Sequence, residues 1–423
     1  MPRSLRALVA AAGAVAVLAG CGGTASPEPG ADSAAAVRTG RDPAAQFTVA
    51  ATDLGIHSFT TRPELPTASI RLNCFPGWSW VNTARDEYNW VDFDRVVTQA
   101  EQWGYSDILY VFCSTPQWAG EPSATPDQGA FGPGSAQPPA NMADFDTYVR
   151  AVMERYRGRI DGYEVWNEPG SPQFFTGTPA QMGQMTAIVA RAADDIDPAA
   201  YVASAGFQTN RPELYEGFIP QYFADLRRRG WPIDVVSAHF YPGGRGTPES
   251  RVDQIRRVRN DLDRYAAPAD LALWDTEVNY EVDRPGGAPD GRITGDKAAA
   301  WTAQTYLNGW RNGLRRTFWY LWTADYYPFP GIQMRPSDPS TRALQTLGTW
   351  VIGATYTGCR TDTGVVTCSF VRDDGGTFDI AWATVAPRAI RLPAEVSVCP
   401  VTGDPCTTES GRYRLNEVPV RIG

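Results

Sequence analysis

The sequence is poor in several things that common function classes need. It holds two histidines, His57 and His239, and one lysine, Lys297. It has no His-Glu-x-x-His, no Cys-x-x-Cys and no paired Cys/His spacing, which removes zinc proteases and structural zinc modules. No Gly-x-Ser-x-Gly elbow is present, so the familiar serine-hydrolase arrangement is unsupported. No glycine-rich phosphate loop follows a strand-like run, so a nucleotide has no obvious seat. Neither a metal nor a cofactor is therefore expected. The net charge is −9 and no dense Lys/Arg cluster stands out, which argues against nucleic acid as a partner. No apolar run reaches the ~20 residues that a membrane-spanning helix needs.

What is present begins at the N-terminus. Arg3 and Arg6 precede an apolar run from Ala7 to Leu18, followed by Leu18-Ala19-Gly20-Cys21. This pattern resembles a bacterial export signal ending in a lipobox, whose cysteine becomes acylated. Residues 1–21 are read as that leader, with Cys21 the lipidation site. Residues 22–45, rich in Gly, Ala, Pro and Ser, are read as a flexible tether. The protein is expected on the outside of a bacterial membrane, as a monomer that touches the membrane only through its lipid. Seven cysteines are an odd number, and setting Cys21 aside leaves six. Cys359/Cys368 and Cys399/Cys406 each flank a plausible turn. Cys74 and Cys113 end two successive strand-like runs and could bridge neighbouring strands. Disulfides suit an oxidising compartment.

From about residue 50, eight strand-like runs alternate with amphipathic stretches. The strand segments are 53–58, 68–73, 107–113, 160–166, 201–206, 234–239, 270–276 and 316–322. Helical periodicity covers 92–103, 142–157, 179–195, 212–229, 249–265, 295–313 and 340–352. Eight alternations in about 300 residues predict an α/β fold, a (β/α)₈ TIM barrel over 46–353. The first connection, 59–67, is too short for a full helix. Residues 354–423 change to short alternating runs and predict a small, β-sandwich-like accessory domain, expected to support the barrel. Two loops rich in Pro and Gly, 114–141 and 282–295, are expected at the rim.

Reactive groups of such a barrel gather where its strands end. The expected strand ends carry His57; Arg71 and Asn73; Trp166, Asn167 and Glu168; His239 and Tyr241; Asp275 and Glu277; and Tyr320 and Trp322. Two carboxyl groups about 5–5.5 Å apart are what hydrolysis of a glycosidic bond with retention requires, one as acid/base and one as nucleophile. Glu168 and Glu277 each follow an apolar strand, so a solvated surface position is a weaker explanation for them than for an average glutamate. Glu164, Asp275 and Glu281 compete for the same roles and are ranked lower. Fourteen tryptophans suit a cleft that stacks on flat ligand faces, although core packing accounts for most of them.

These residues resemble a known group. The run Tyr163-Glu164-Val165-Trp166-Asn167-Glu168-Pro169 looks like the acid/base motif of the clan A retaining glycosidases. The wider pattern is similar to glycoside hydrolase family 39 and its bacterial relatives. It includes Leu54-Gly55-Ile56-His57, Ile70-Arg71-Leu72, Thr115-Pro116-Gln117-Trp118-Ala119, His239-Phe240-Tyr241-Pro242 and Trp274-Asp275-Thr276-Glu277. The resemblance implies Glu168 as acid/base and Glu277 as nucleophile. It implies Asn167 on a sugar hydroxyl, and Tyr241 and Arg71 holding Glu277. His57 and His239 would touch substrate or support the carboxylates, Trp322 would be the sugar platform, and Trp118 and Trp78 would add stacking beyond it. The partner so implied is an oligosaccharide or polysaccharide. A non-catalytic sugar-binding lipoprotein and a transglycosylase or endo-acting relative are the alternatives. Cys74 after Asn73 departs from the family pattern, so the xylose and iduronate specificities of family 39 branches are not carried over.

Overall fold

The computed structural model describes residues 37–121, 129–280, 293–323 and 331–423. Its strands are β1 (Phe47–Thr48), β2 (Leu54–Ile56), β3 (Ser69–Leu72), β4 (Asp107–Val111), β5 (Gly162–Glu164), β6 (Tyr201–Ala203), β7 (Phe207–Gln208), β8 (Val235–His239), β9 (Ala272–Val278) and β10 (Leu314–Trp319). β2 to β6 and β8 to β10 are parallel and neighbour one another in sequence order. β10 pairs with β2, and Ala203 of β6 pairs with Val235 of β8, which closes an eight-stranded barrel. Each barrel strand overlaps one of the eight expected segments.

Seven helices follow the predicted periodicity: Val91–Gln102, Met142–Arg155, Pro179–Ile196, Pro212–Arg228, Ser250–Arg264, Gly295–Arg311 and Pro339–Val351. Their starts carry local signals. Thr178 accepts from the Gln181 amide and Gln181 reaches back, a reciprocal cap, with Pro179 in the first turn. Asn141 caps Met142–Arg155 through the Ala143 amide, and that helix buries Phe145, Tyr148, Val149, Val152 and Met153. The link from β2 to β3 holds no helix, as its length implied.

The barrel interior is filled by Leu109, Tyr201, Ala203, Val235, Ala272, Trp274 and Phe318. Gly162 makes room for one of these rings, since a Cβ there would fall 2.0 Å from the Tyr201 ring. Val37 joins the same cluster at the N-terminal end of the strands. Beside it Arg38 bonds Asp234 at 3.0 Å and Asp270 at 2.8 Å, and Arg41 bonds Asp263 at 2.7 Å. Residues 37–45 are therefore seated under the barrel rather than forming part of a free tether. Apolar plugging and guanidinium pairing override the loop-like composition. Residues 1–36, with Cys21, lie outside the described residues.

The C-terminal strands are β11 (Thr355–Asp362), β12 (Val365–Val371), β13 (Thr377–Ala383), β14 (Arg388–Pro400), β15 (Thr407–Leu415) and β16 (Val420–Ile422). They form one antiparallel sheet in the order β1-β11-β12-β13-β16-β14-β15. β1 comes from the barrel side of the expected boundary and pairs through Phe47 with Tyr356. One face of the sheet, including Phe370, Phe378 and Trp382, merges with the main core. The other gathers Val365, Leu392, Val398, Leu415 and Val420. Three disulfides form, Cys74–Cys113, Cys359–Cys368 and Cys399–Cys406. Cys359 and Cys368 face each other directly across β11 and β12. Among the described residues no helix is long and apolar enough to cross a membrane.

Candidate active site

Side chains alternate along a strand, so β3 turns Ile70 and Leu72 to the helices and Arg71 to the barrel interior. β5 likewise sends Glu164 inward. The fully buried Arg71 grips Glu164 with two bonds, of 3.0 and 2.6 Å. The same guanidinium donates to the Asn167 Oδ1 at 3.0 Å and to Glu277 Oε1 at 3.3 Å. It also faces His239 Nε2 at 3.4 Å. An arginine always donates, so this contact places the imidazole hydrogen on Nδ1. That Nδ1 lies 2.9 Å from Glu168 Oε1 and 3.2 Å from Glu277 Oε2.

Glu277 owes its direction to an irregularity. Between Asp275 and Val278 β9 spans one residue more than the paired stretch of β10 from Thr317 to Trp319. Such a bulge breaks strict alternation and re-aims side chains. Asp275 is left facing the helix Ser250–Arg264, where Arg251 pairs with it. Thr276 bonds Ser237, and Glu277 reaches Arg71, Asn73 and His239. Glu168 has φ +46°, a left-handed conformation rare outside glycine, with its amide bonded to Gly206 O at 2.6 Å. Gly206 itself must be glycine, because a Cβ would lie 2.3 Å from Glu164 and 2.7 Å from His239.

One carboxylate oxygen of Glu168, one of Glu277 and a ring nitrogen of His239 all lie within 4.8 Å of one another. Burial pushes the Glu168 carboxyl up to about 7, opposed by the Gln208 amide and by Arg71. Burial also raises Glu277, opposed by His239 and Arg71. Of the two, Glu277 touches the guanidinium and accepts from Asn73 Nδ2 at 2.8 Å, so Glu168 is the better seat for a shared proton. Burial first, and then Arg71, lower His239, to about 4, despite the opposing pull of Glu277; the ring is neutral at pH 7. The three side chains could hold a divalent ion by spacing alone. Arg71 already brings a positive charge to Glu277 and His239, and a metal would be repelled by it.

Of the residues singled out from sequence, Glu168, Glu277, Arg71, Asn167 and His239 meet in this one cluster. Tyr241 is half-buried close enough to Arg71 to affect its charge. His57 is fully buried beneath the mouth, with Nε2 2.9 Å from the Thr276 carbonyl and its ring 5.1 Å from that of Tyr320. It supports β9 rather than touching a carboxylate. Trp78 is a correction. It is 0% exposed, stacks on Tyr148 and bonds Asn82, so it belongs to the core and cannot stack on a ligand. Trp118 is half-buried between Trp78 and Arg85, with its Nε1 on Asn82 O, away from the carboxylates. Trp322 is buried at 2% exposure, and Tyr320 is the more open aromatic at the end of β10. Glu281 and most of the loop 282–295 lie outside the described residues.

Two members of the cluster were not assigned a role from sequence. Asn73 was visible at a strand end. Gln208, which donates to Glu168 Oε2, was not. It sits on β7, a two-residue strand after Gly206 whose length gives no periodicity to read.

No protein-family model matches the sequence, and no curated protein matches it. Solved structures do share its fold. A family 39 glycoside hydrolase from the gut symbiont Bacteroides cellulosilyticus WH2 is 18% identical, with TM-score 0.65 over 89% of this chain and 82% of that one. A monomeric beta-xylosidase from Caulobacter crescentus CB15 is 17% identical, with TM-score 0.61 over 89% and 96%. A glycoside hydrolase family 44 endoglucanase from Clostridium acetobutylium ATCC 824 is 14% identical, with TM-score 0.58 over 89% and 97%. At such identities the likeness speaks for the barrel with its β domain.

Proposed function

We propose that this protein is a retaining glycoside hydrolase acting by double displacement. The observation that carries the reading is the approach of one carboxylate oxygen of Glu168 and one of Glu277 to within 4.8 Å. So short an approach favours the ~5–5.5 Å carboxyl spacing of retaining enzymes over the ~6.5–9.5 Å of inverting ones, which must fit a water between the carboxyl groups. The division of charge supports the same roles. Glu277, beside Arg71 and Asn73, is the ionised nucleophile that attacks the anomeric carbon. Glu168, raised to about 7, gives its proton to the leaving oxygen. Once the leaving group has gone, the ionised Glu168 takes a proton from the water that cleaves the glycosyl–Glu277 ester. His239 remains neutral and holds both carboxylates through Nδ1–H. Asn167 uses its Oδ1 on Arg71, which leaves the amide hydrogens as its donating end for a sugar hydroxyl. A sugar-binding protein without turnover would gain nothing from two buried carboxylates held this close, each costly to keep charged.

Labelling with a panel of 2-deoxy-2-fluoro glycosides followed by peptide mapping tests this. The label is expected on Glu277, and the sugar that reacts names the glycone. A label on another carboxylate would refute the assignment. Export and acylation at Cys21, and a monomeric state, complete the proposal. The leader pattern and the three disulfides support export. Cys21→Ser is expected to release the protein from membranes, measured by fractionation of the producing cells.

A further inference from the structure

The long hairpin of the β domain carries a cluster of cations that the chemistry above does not use. β14 and β15 pair with Ala389 opposite Arg414, Ile390 opposite Tyr413 and Arg391 opposite Arg412. Residues directly opposite share a face, and faces alternate along each strand. Ile390, Leu392, Tyr413 and Leu415 take one side, against the second core of the β domain. Arg391, Arg412 and Arg414 take the other, where all three are exposed. Among the described residues none of the three has an ion pair. Arg388 begins the same strand, also exposed, with its Nε on Thr363 O at 3.1 Å.

The cluster stands apart from the acids of its own hairpin. Glu395, Asp404 and Glu409 all lie toward the turn, past the irregular stretch between Leu392 and Val396. Glu417 follows β15, with its carbonyl held by Gln304 at 2.6 Å. Like charges directly opposite each other destabilise a sheet. Arginines on β15 discourage a further strand from adding to that edge, but one would serve, and Arg391 is not on the edge strand. A costly pairing of cations, in a chain of net charge −9, points to a ligand that neutralises it.

We propose that Arg391, Arg412 and Arg414 form a docking site for a polyanionic glycan, a chain that carries carboxylates at regular intervals. Each guanidinium can take a carboxylate with two parallel N–H bonds. Neighbouring strands set the stems roughly 5 Å apart, and same-face residues of one strand follow at roughly 7 Å, so the three can meet carboxylates of more than one sugar. The second core behind the strands and the Cys399–Cys406 link keep this face preformed. The choice of a glycan rests on the glycosidase reading: the β domain holds the polymer while the barrel works on it.

The test offers immobilised polygalacturonate, neutral dextran and phosphatidylglycerol-containing vesicles to the full chain and to the triple variant Arg391→Gln/Arg412→Gln/Arg414→Gln. Both carry Cys21→Ser, so that no acyl chain contributes. Binding to polygalacturonate but not dextran is expected, weakening as salt rises. The triple variant should bind roughly tenfold less tightly, with labelling at Glu277 unchanged and an unfolding midpoint no lower than that of the parent. Failure to bind polygalacturonate, equal binding to dextran, or binding that ignores the three arginines overturns the site. Binding to the vesicles and not to polygalacturonate also overturns it, and gives the face to a membrane instead. Polygalacturonate binding that needs the arginines, in a protein that no 2-deoxy-2-fluoro glycoside labels, would keep the docking site and sink the hydrolase.

Discussion

Glu168 and Gln208 set the behaviour with pH. In the proposed reaction Glu168 must be protonated to expel the leaving group, and burial raises it to about 7. kcat/KM is therefore expected to fall as pH rises through about 7. Gln208 donates to the ionised form and so lowers this value. Gln208→Met should move the alkaline limb to higher pH, read from a pH–rate profile; an unmoved limb would make Gln208 merely structural. The same group bears on stability. A carboxyl whose folded pKa lies above its unfolded value favours the fold at low pH, and that contribution is lost as pH rises through the folded value. Glu168→Gln removes a buried charge at pH 8 and should raise the Tm there by a few degrees, with less gain at pH 5. Sequence reading found the carboxylates because their strands are apolar and their motif is local. It missed Gln208 because only the fold around Gly206 brings β7 beside Glu168.

Elements were read well where they are long and periodic. The seven helices and eight strands follow hydrophobic spacing, which depends on the chain alone. The bulge in β9 was not legible, since it exists only in register against β10. Nor was the sense of Trp78–Val81, a four-residue turn of helix with tryptophans at both its first and third positions. Its inward residue is chosen by tertiary contacts: the staple at Cys74 and the stack on Tyr148. Trp78→Ala should cost about 3–5 kcal/mol in denaturant unfolding, as for other buried aromatics. Trp80→Ala should cost far less. Replacing Cys74 and Cys113 by serine opens a link across 39 residues, worth about 4 kcal/mol by loop entropy. An unchanged unfolding midpoint would show that hydrogen bonds alone hold the loop.

At the scale of the whole molecule, barrel and β domain share one core. The ring of Trp310, at the end of its barrel helix, lies 6.1 Å from Tyr356 and 6.4 Å from Phe370. The domain boundary near residue 353 is thus a change of architecture rather than a hinge, and Phe47–Thr48 crosses it. Composition could announce the change but not the shared interior. The segment 37–45 was misread for a related reason: its Gly, Arg and Pro carry no periodicity, and its order comes from partners more than 190 residues away. A chain beginning at residue 46 should melt several degrees lower while still labelling at Glu277. Loss of labelling at a temperature where that chain remains folded would tie the barrel floor to the chemistry.

The seat of Val37 and Arg38 also decides which way the molecule looks. It lies under the N-terminal ends of the strands, whereas Glu168 and Glu277 open at the opposite end. With a lipid on Cys21, the intervening residues let the barrel stand off the bilayer by at most about 55 Å. In that proposed anchored form the chain would join the barrel on the side opposite the two carboxylates, leaving the cleft free to face away from the bilayer.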